Sequence, residues 1–567
     1  MRAPACGQCT RPRHFDPVAR TSTRRLAPAA AQAGGPHAGS APGSGKDTPG
    51  GGSSRLSLVR ALLGASTARL TASGSGLSAW AASALTAATN ALQPLPPGFP
   101  PGPGTDVALE LGSDPLAFLT RSAATHGGAV GVKLAGARCV VVSDPELARC
   151  VLVDQADVFI KRGTAFFPGS ALTGEGLLVS NGAVWKRQRR LSNPAFRAAA
   201  VATYAASMGA AAVAMTRAGG PWASLPPGSV VDVYPAFNDL TLRIVASTLF
   251  GADVSGPAGE EVNAAIADAF SFFAKRASQA PLALLPEWLP TLENVRFNAA
   301  VTRLDAAVYR LIAQRRRLRR STPAGGGAKA PDLLDRLLDS VDEDTGAGMG
   351  NTQLRDELMT LLVAGQETSA ILLTWACSLL AQHPGDMRAL ADEADSVLGP
   401  DRAPEAGDYT RLPLTSAVVL ETMRLMPPAY LVGRCASTDV ALGPYRLPQG
   451  TTVLVSPYLL HRAPSSWGPD AGEFRPGRWV DAATGGVSLS DALKGMGTHG
   501  AYIPFGAGPR NCIGTGFALM EAVLVLATLC RDVTFTVPQG QPPPKPAALI
   551  TLRPAAAQLA LSRRARA

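Results

Sequence analysis

Between Leu354 and Leu380 the chain is dominated by apolar side chains, interrupted in the middle by the polar island Gly365-Gln366-Glu367-Thr368-Ser369. A helix that is apolar on all sides belongs either to the centre of a large fold or to a membrane. A carboxylate at the middle of a bilayer costs about 2.5–3.5 kcal/mol on insertion scales. The flanks, acidic before and His383-Pro384-Gly385 after, are aqueous turns. The segment therefore predicts a buried central helix with a functional island, and such a helix needs a large, mainly α domain around it.

The remaining chain supplies that domain. Gly131 to Val142 has the alternation and β-branched content of a small hairpin. Asp144-Pro145-Glu146 opens a helix, with Asp as N-cap and Pro at the first helical position. Val301, Leu304, Val308, Leu311 and Ile312 recur at helical spacing. Thr451 to Tyr458 and Val533 to Val537 read as strands, and Met520 to Leu529 as helix. No β-α alternation suggests a doubly wound sheet. The expected class is mainly α with small β-sheets, in a single catalytic domain over 105–555. Pro94 to Gly104 is expected to be a Pro/Gly-rich extended hinge before it, and 556–567 a basic tail.

The formal net charge of +10 is a property of one end. Ten basic residues and only Asp16 and Asp47 precede Asp106, so the rest of the chain is close to neutral. A nucleic-acid footprint needs clustered charge on the folded part, and that partner is not expected. Residues 1–93 are Arg- and Ser-rich, acid-poor and expected to be largely disordered, the composition of an organelle transit segment. No early run reaches the roughly 18 apolar residues that would span a bilayer, so no transmembrane anchor is expected. Peripheral membrane contact is compatible with that. The eight cysteines are scattered, which argues against a disulfide framework. Cys6 and Cys9 form a C-x-x-C without a second ligand pair and read as coincidence. A single functional cysteine in a reducing compartment fits better.

That cysteine lies in Phe505-Gly506-Ala507-Gly508-Pro509-Arg510-Asn511-Cys512-Ile513-Gly514. On a Gly-rich turn just before a helix, a thiolate gains from nearby backbone N–H groups and the helix dipole. Gly514 leaves room for something flat to lie close, and Arg510 offers a cation to a carboxylate on the bound group. The stretch resembles the haem-binding signature F-x-x-G-x-R-x-C-x-G of the cytochrome P-450 family at all five fixed positions. The resemblance implies the P-450 fold, haem b with Cys512 as axial thiolate, and cofactor contacts from Phe505, Gly508, Arg510 and Gly514.

Other stretches carry the same resemblance. Glu421-Thr422-Met423-Arg424 supplies the family's E-x-x-R, and Phe474 to Trp479 its downstream loop, so Arg478 should complete a structural triad with Glu421 and Arg424. Trp479 stands where the family usually has Phe. Ala364-Gly365-Gln366-Glu367-Thr368 matches A-G-x-(D/E)-T. There Ala364 and Gly365 are small enough for dioxygen to sit beside the helix, Thr368 can hydrogen-bond it, and Glu367 can relay protons. Trp185 and Arg189 match W-x-x-x-R and, with Arg434, should meet the haem propionates.

Leu354 to Trp375, Phe517 to Ala522 and Gly174 to Arg190 resemble the plastid carotenoid-ring hydroxylases, although Gln366 stands where that branch has His. The resemblance implies a monooxygenase that hydroxylates a lipophilic substrate with O2 and external electrons, in carotenoid biosynthesis within a chloroplast. A mitochondrion is the alternative address. The donor would be ferredoxin or a flavoprotein reductase, and Arg187, Arg190 and Arg510 could steer an acidic one. Phe270, Phe272, Phe273 and Trp288 are candidates to face an apolar ligand. The alternatives are a hydroxylase of fatty acids or other lipids, a P-450-fold hydroperoxide isomerase or dehydratase, and a non-catalytic haem-binding protein.

Overall fold

The computed structural model describes residues 94–564 except 162–163, 165–170, 218, 250, 252–256, 279–288, 322–330 and 495–500. The leader expected over 1–93 and Trp288 lie outside the described residues.

The first hairpin forms where the alternation placed it. β1 (Ala129–Leu134) and β2 (Ala137–Val142) pair antiparallel. Their turn uses Ala135 and Gly136, both at positive φ (50° and 78°), as a two-residue hairpin turn requires. β3 (Phe159–Ile160), β4 (Ser229–Asp232), β5 (Val432–Ala436), β6 (Val440–Leu442), β7 (Tyr445–Leu447) and β8 (Thr452–Val455) follow. The main sheet has the order β1-β2-β8-β5-β3, with β2 and β8 parallel across a long stretch of chain. β8 stops at Val455 because Pro457 opens a short helix capped by the Ser456 side chain.

β9 (Val533–Thr536), β10 (Pro546–Ala548), β11 (Leu552–Pro554) and β12 (Gln558–Arg563) close the chain. β12 is the centre of the three-stranded sheet β4-β12-β9. The expected basic tail from 556 is therefore corrected. Leu559 and Leu561 alternate into the core and bury their side chains, and that apolar alternation outweighs the terminal arginines. The expected hinge is likewise no free linker. Gly131 N–H donates to Pro101 O (2.8 Å), Arg446 N–H to Gly98 O (2.9 Å), and Phe99 is buried.

The helices that position the site are α1 (Gly182–Ser192), α2 (Val233–Leu249), α3 (Pro257–Ser278), α4 (Leu292–Ser321), α5 (Asn351–Leu380), α6 (Pro384–Leu398), α7 (Pro413–Leu425) and α8 (Thr515–Asp532). α5 is the predicted central helix, packed against α2, α4, α7 and α8. Its apolar length is covered by protein on almost every side, so the fold itself supplies the nonpolar surroundings its composition demands. The Trp375 indole donates to Leu552 O (2.8 Å), tying α5 to β11. Asp144 caps the helix after β2 as predicted, accepting from Glu146 and Leu147 N–H at 2.9 Å each.

Candidate active site

The cysteine loop is held from both ends. Gly506 and Gly508 take φ of 71° and 70°, where glycine carries no Cβ penalty. A Cβ on Gly508 would lie 2.0 Å from Leu152 O, so the loop is pressed onto the turn Cys150–Asp154. Cys512 N–H donates to Phe505 O (2.8 Å), and Gly514 becomes the N-cap of α8. Arg189 on α1 grips the residue before the cysteine, donating to Asn511 O (2.7 Å) and to Asn511 Oδ1 (2.9 Å).

Cys512 differs from its neighbours. Cys139, Cys377, Cys435 and Cys530 are buried, Cys150 is half-buried, and Cys512 is exposed. Burial pushes the Cys139 and Cys530 thiols up to about 12. Desolvation by the surrounding chain also raises Cys512, but Gly514 N–H, the Arg189 charge and the Thr515 hydroxyl pull it back. A residue both exposed and desolvated lines a recess rather than the outer surface. A Cβ at Gly514 would meet the Cys512 sulfur at an ordinary 3.8 Å, so packing within the protein does not itself demand glycine there.

Beside the loop lie cations without anions. Arg434 on β5 is buried, and its Nη1 donates to Gly433 O (2.9 Å). Arg510 stacks 4.1 Å over the Trp185 ring and donates to Ser180 O (2.6 Å), while its buried Nη1 has no partner. Burial, with the neighbouring positive charges, lowers Arg510 to about 10, and burial lowers Arg434 to about 10. Lys161 is pushed well below the usual lysine range by burial and by the Arg434 and Arg510 charges. None of the three has a carboxylate partner among the described residues. Buried cations are costly unless paired, so the cluster suits a group that brings its own carboxylates. Sequence reasoning missed Lys161, a lone lysine after a two-residue strand.

The structural triad forms as expected. Arg424 grips Glu421 with two bonds of 2.8 Å, and Arg478 Nε reaches Glu421 Oε1 at 3.0 Å. The Trp479 indole donates to Glu421 Oε2 (2.9 Å), a bond that the family's usual Phe cannot make. Arg475 N–H adds another at 2.8 Å. The remaining Arg424 donors go to His461, Ala471 and Glu473 carbonyls, so this buried network is fully satisfied.

On α5 the polar island divides by direction. Ala364 is exposed and Thr368 half-buried in an otherwise buried helix, with Thr368 Oγ1 donating to Ala364 O (2.6 Å). Gly365 has a packing use that the sequence did not show. A Cβ there would stand 3.3 Å from Val245, so its smallness lets α2 approach α5. Glu367 is buried and accepts from Thr551 Oγ1 at 3.0 Å; burial raises its pKa, against Thr551, Arg553 and Tyr234.

Sequence reasoning also missed Glu521 on α8. It is fully buried and accepts from Ser369, and its Oε1 has no partner. Burial raises it to about 8 from 4.5, and Glu357 is raised likewise to about 8. Each native carboxyl keeps a proton that the unfolded chain releases above about pH 4.5. Their contribution to stability is therefore full below that pH and is lost as pH rises toward about 8. Glu521→Gln is expected to reduce this slope by about half, read from urea midpoints across that window.

Two other expectations are corrected. Arg190 is paired with Asp342 (2.6 Å) and Asp344 (2.7 Å), and Arg187 lies 3.7 Å from Asp342. Their charges are compensated, which weakens them as steering groups for an acidic donor. Phe272 and Phe273 are buried against Phe297, the first stacked at 4.1 Å, and belong to the core. Phe270 lines a cavity together with Tyr234, Ile266 and Leu549.

A family model described as Cytochrome P450 matches residues 96–561. The chain belongs to the cytochrome P450 family. It is an oxidoreductase of the monooxygenase class, and the family implies a haem-thiolate cofactor. The chain is 36% identical to the Cyclooctatin synthase of Streptomyces melanosporofaciens, over 79% of this chain and 91% of that protein. It is 33% identical to the Pentalenene oxygenase of Streptomyces avermitilis, over 80% and 94%. It is 30% identical to Protein LUTEIN DEFICIENT 5, chloroplastic, of Arabidopsis thaliana, over 74% and 69%.

Proposed function

We propose that the chain hydroxylates a lipophilic substrate with a haem held by the Cys512 thiolate, using dioxygen and electrons from a separate donor. The observation that carries this reading is an exposed cysteine in a desolvated loop, next to Lys161, Arg434 and Arg510 without carboxylate partners. Haem, when bound, activates dioxygen for insertion of one oxygen atom into a C–H bond. The protein's part is positioning and proton supply. Gly514 N–H, Thr515 and Arg189 partly offset the burial that raises the Cys512 thiol. Arg434, Arg510 and Lys161 would neutralise the carboxylates of the bound haem, and Trp185 holds the Arg510 plane. Ala364 keeps the open face of α5 uncrowded. Glu367 would relay a proton to Thr368, whose hydroxyl, now donating to Ala364 O, would hold it at the open face of α5.

Thr368→Ala is expected to leave substrate binding intact while product formed per reductant consumed falls by about 10²-fold, a general-acid effect. Hydrogen peroxide rises in proportion. A hydroperoxide isomerase or dehydratase would consume neither reductant nor oxygen, and a haem carrier would form no product.

We infer ring hydroxylation of carotenes in a plastid as the finer reading, supported by the likeness to the chloroplastic relative and by the transit-like leader. Oxygenation of a smaller terpene is favoured instead by the higher identity to Cyclooctatin synthase and Pentalenene oxygenase. Expression without residues 1–93 in a carotene-accumulating host, followed by pigment analysis, separates them. New hydroxylated carotenes support the first reading, and unchanged carotenes with haem loaded remove it.

A further inference from the structure

His461 follows the short helix Pro457–Leu460 and is fully buried. Its carbonyl accepts from Arg424 Nη1 at 2.8 Å, which ties its backbone to the Glu421–Arg424 hub. Its ring has a different partner, because Ile503 N–H donates to Nε2 at 2.9 Å. Ile503 is itself buried, and its carbonyl accepts from Gly506 N–H at 3.0 Å, closing the turn that opens the cysteine loop. A single residue thus joins the hub to the loop, its backbone on one and its ring on the other.

The Ile503 bond fixes the chemistry of the ring. A nitrogen that accepts carries no proton, so in the neutral ring the proton sits on Nδ1. Nδ1 lies beside the Met423 and Arg424 carbonyls yet completes no hydrogen bond. Buried donors are nearly always partnered, and each exception calls for a reason. Here the ring leaves its own donor unsatisfied and serves the Ile503 amide. Burial, with the Arg462 and Arg424 charges, pushes His461 down to about 3, so the ring stays a neutral acceptor. The Tyr502 ring packs against it at 5.1 Å between centroids, and the Tyr502 hydroxyl donates to Leu420 O (2.7 Å). The imidazole is braced between α7 and the approach to the loop.

We propose that His461 is a positioning residue for the thiolate, its Nε2 fixing where Cys512 stands by holding the Ile503 amide. The inference rests on the reading that Cys512 ligates haem. Groups that orient a metal ligand from behind typically change metal affinity or activity by about 10–100-fold when removed. Without the imidazole, the segment from Ile503 to Phe505 loses its tie to the hub. Phe505 O, which accepts from Cys512 N–H, moves with that segment. The cysteine then no longer has one fixed position.

The test uses the haem-loaded full chain, with two readouts. One is the ratio of red-shifted to unshifted Soret absorbance after reduction under carbon monoxide. The other is the hydrogen-exchange rate of the Ile503 amide. His461→Phe removes the acceptor, and His461→Asn removes it too, because Asn reaches only as far as the Nδ1 position. Both should lower the ratio by about tenfold and speed Ile503 exchange by about tenfold. His461→Gln, whose longer amide reaches the Nε2 position, should restore both. Trp375→Phe is the control, since it loses an equally buried hydrogen bond, to Leu552 O, away from the loop. It should lower the urea midpoint and leave the ratio unchanged. If His461→Phe does not fold, His461→Asn against His461→Gln carries the comparison. An unchanged ratio in folded His461→Phe or His461→Asn overturns the proposal, as does a His461→Gln that behaves like them. A Trp375→Phe that lowers the ratio equally makes the effect one of general stability and also overturns it. If the unsubstituted protein lacks the shifted band, the haem-thiolate reading fails first, a result distinct from all of these.

Discussion

Glu421→Ala is expected to cost about 3–5 kcal/mol of folding stability, the usual result of removing one partner from a buried ion pair. The carboxylate accepts from Arg424, Arg478, Trp479 and the Arg475 backbone, and both it and Arg424 are fully buried. Its removal strands an unpaired guanidinium in a region of low dielectric. Native proteins hold only about 5–15 kcal/mol in total, so much of the expressed variant should be unfolded and free of haem. The checks are the urea midpoint and the haem-to-protein ratio. Trp479→Phe loses one hydrogen bond and should cost only about 1 kcal/mol. Equal effects from the two substitutions would contradict the assignment of Glu421 as the hub.

Cys512→Ser should behave in the opposite way, abolishing chemistry while sparing the fold. The side chain is exposed, and the loop's shape rests on backbone bonds, on Gly506 and Gly508, and on the Arg189–Asn511 grip. None of these needs sulfur. Substrate turnover should fall below detection, whereas the urea midpoint should move by no more than a surface substitution does, about 0.5 kcal/mol. A variant that keeps its turnover would remove Cys512 from the site, and a variant that unfolds would make it a packing residue.

What could be read in advance was local in sequence. The cysteine loop, the Glu421–Arg424 turn, the first hairpin and the buried α5 each depend on residues a few positions apart, and each formed where expected. What could not be read came from partners brought together across the chain. Lys161 gains meaning only beside Arg434 and Arg510, and Glu521 only beside Ser369. Arg190 looked free until Asp342, far along the chain, neutralised it. The packing of Gly365 against Val245 likewise joins residues far apart in the chain. The strand β12 was hidden by terminal arginines, although Leu559 and Leu561 already showed the alternation of a buried strand.

The most direct measurement is the absorption spectrum of the purified, haem-loaded chain, reduced and exposed to carbon monoxide. Ligation by the Cys512 thiolate predicts a strongly red-shifted Soret band that is absent in Cys512→Ser. A Soret band without that shift in the unsubstituted protein, or the same shifted band in Cys512→Ser, would contradict Cys512 as the ligand.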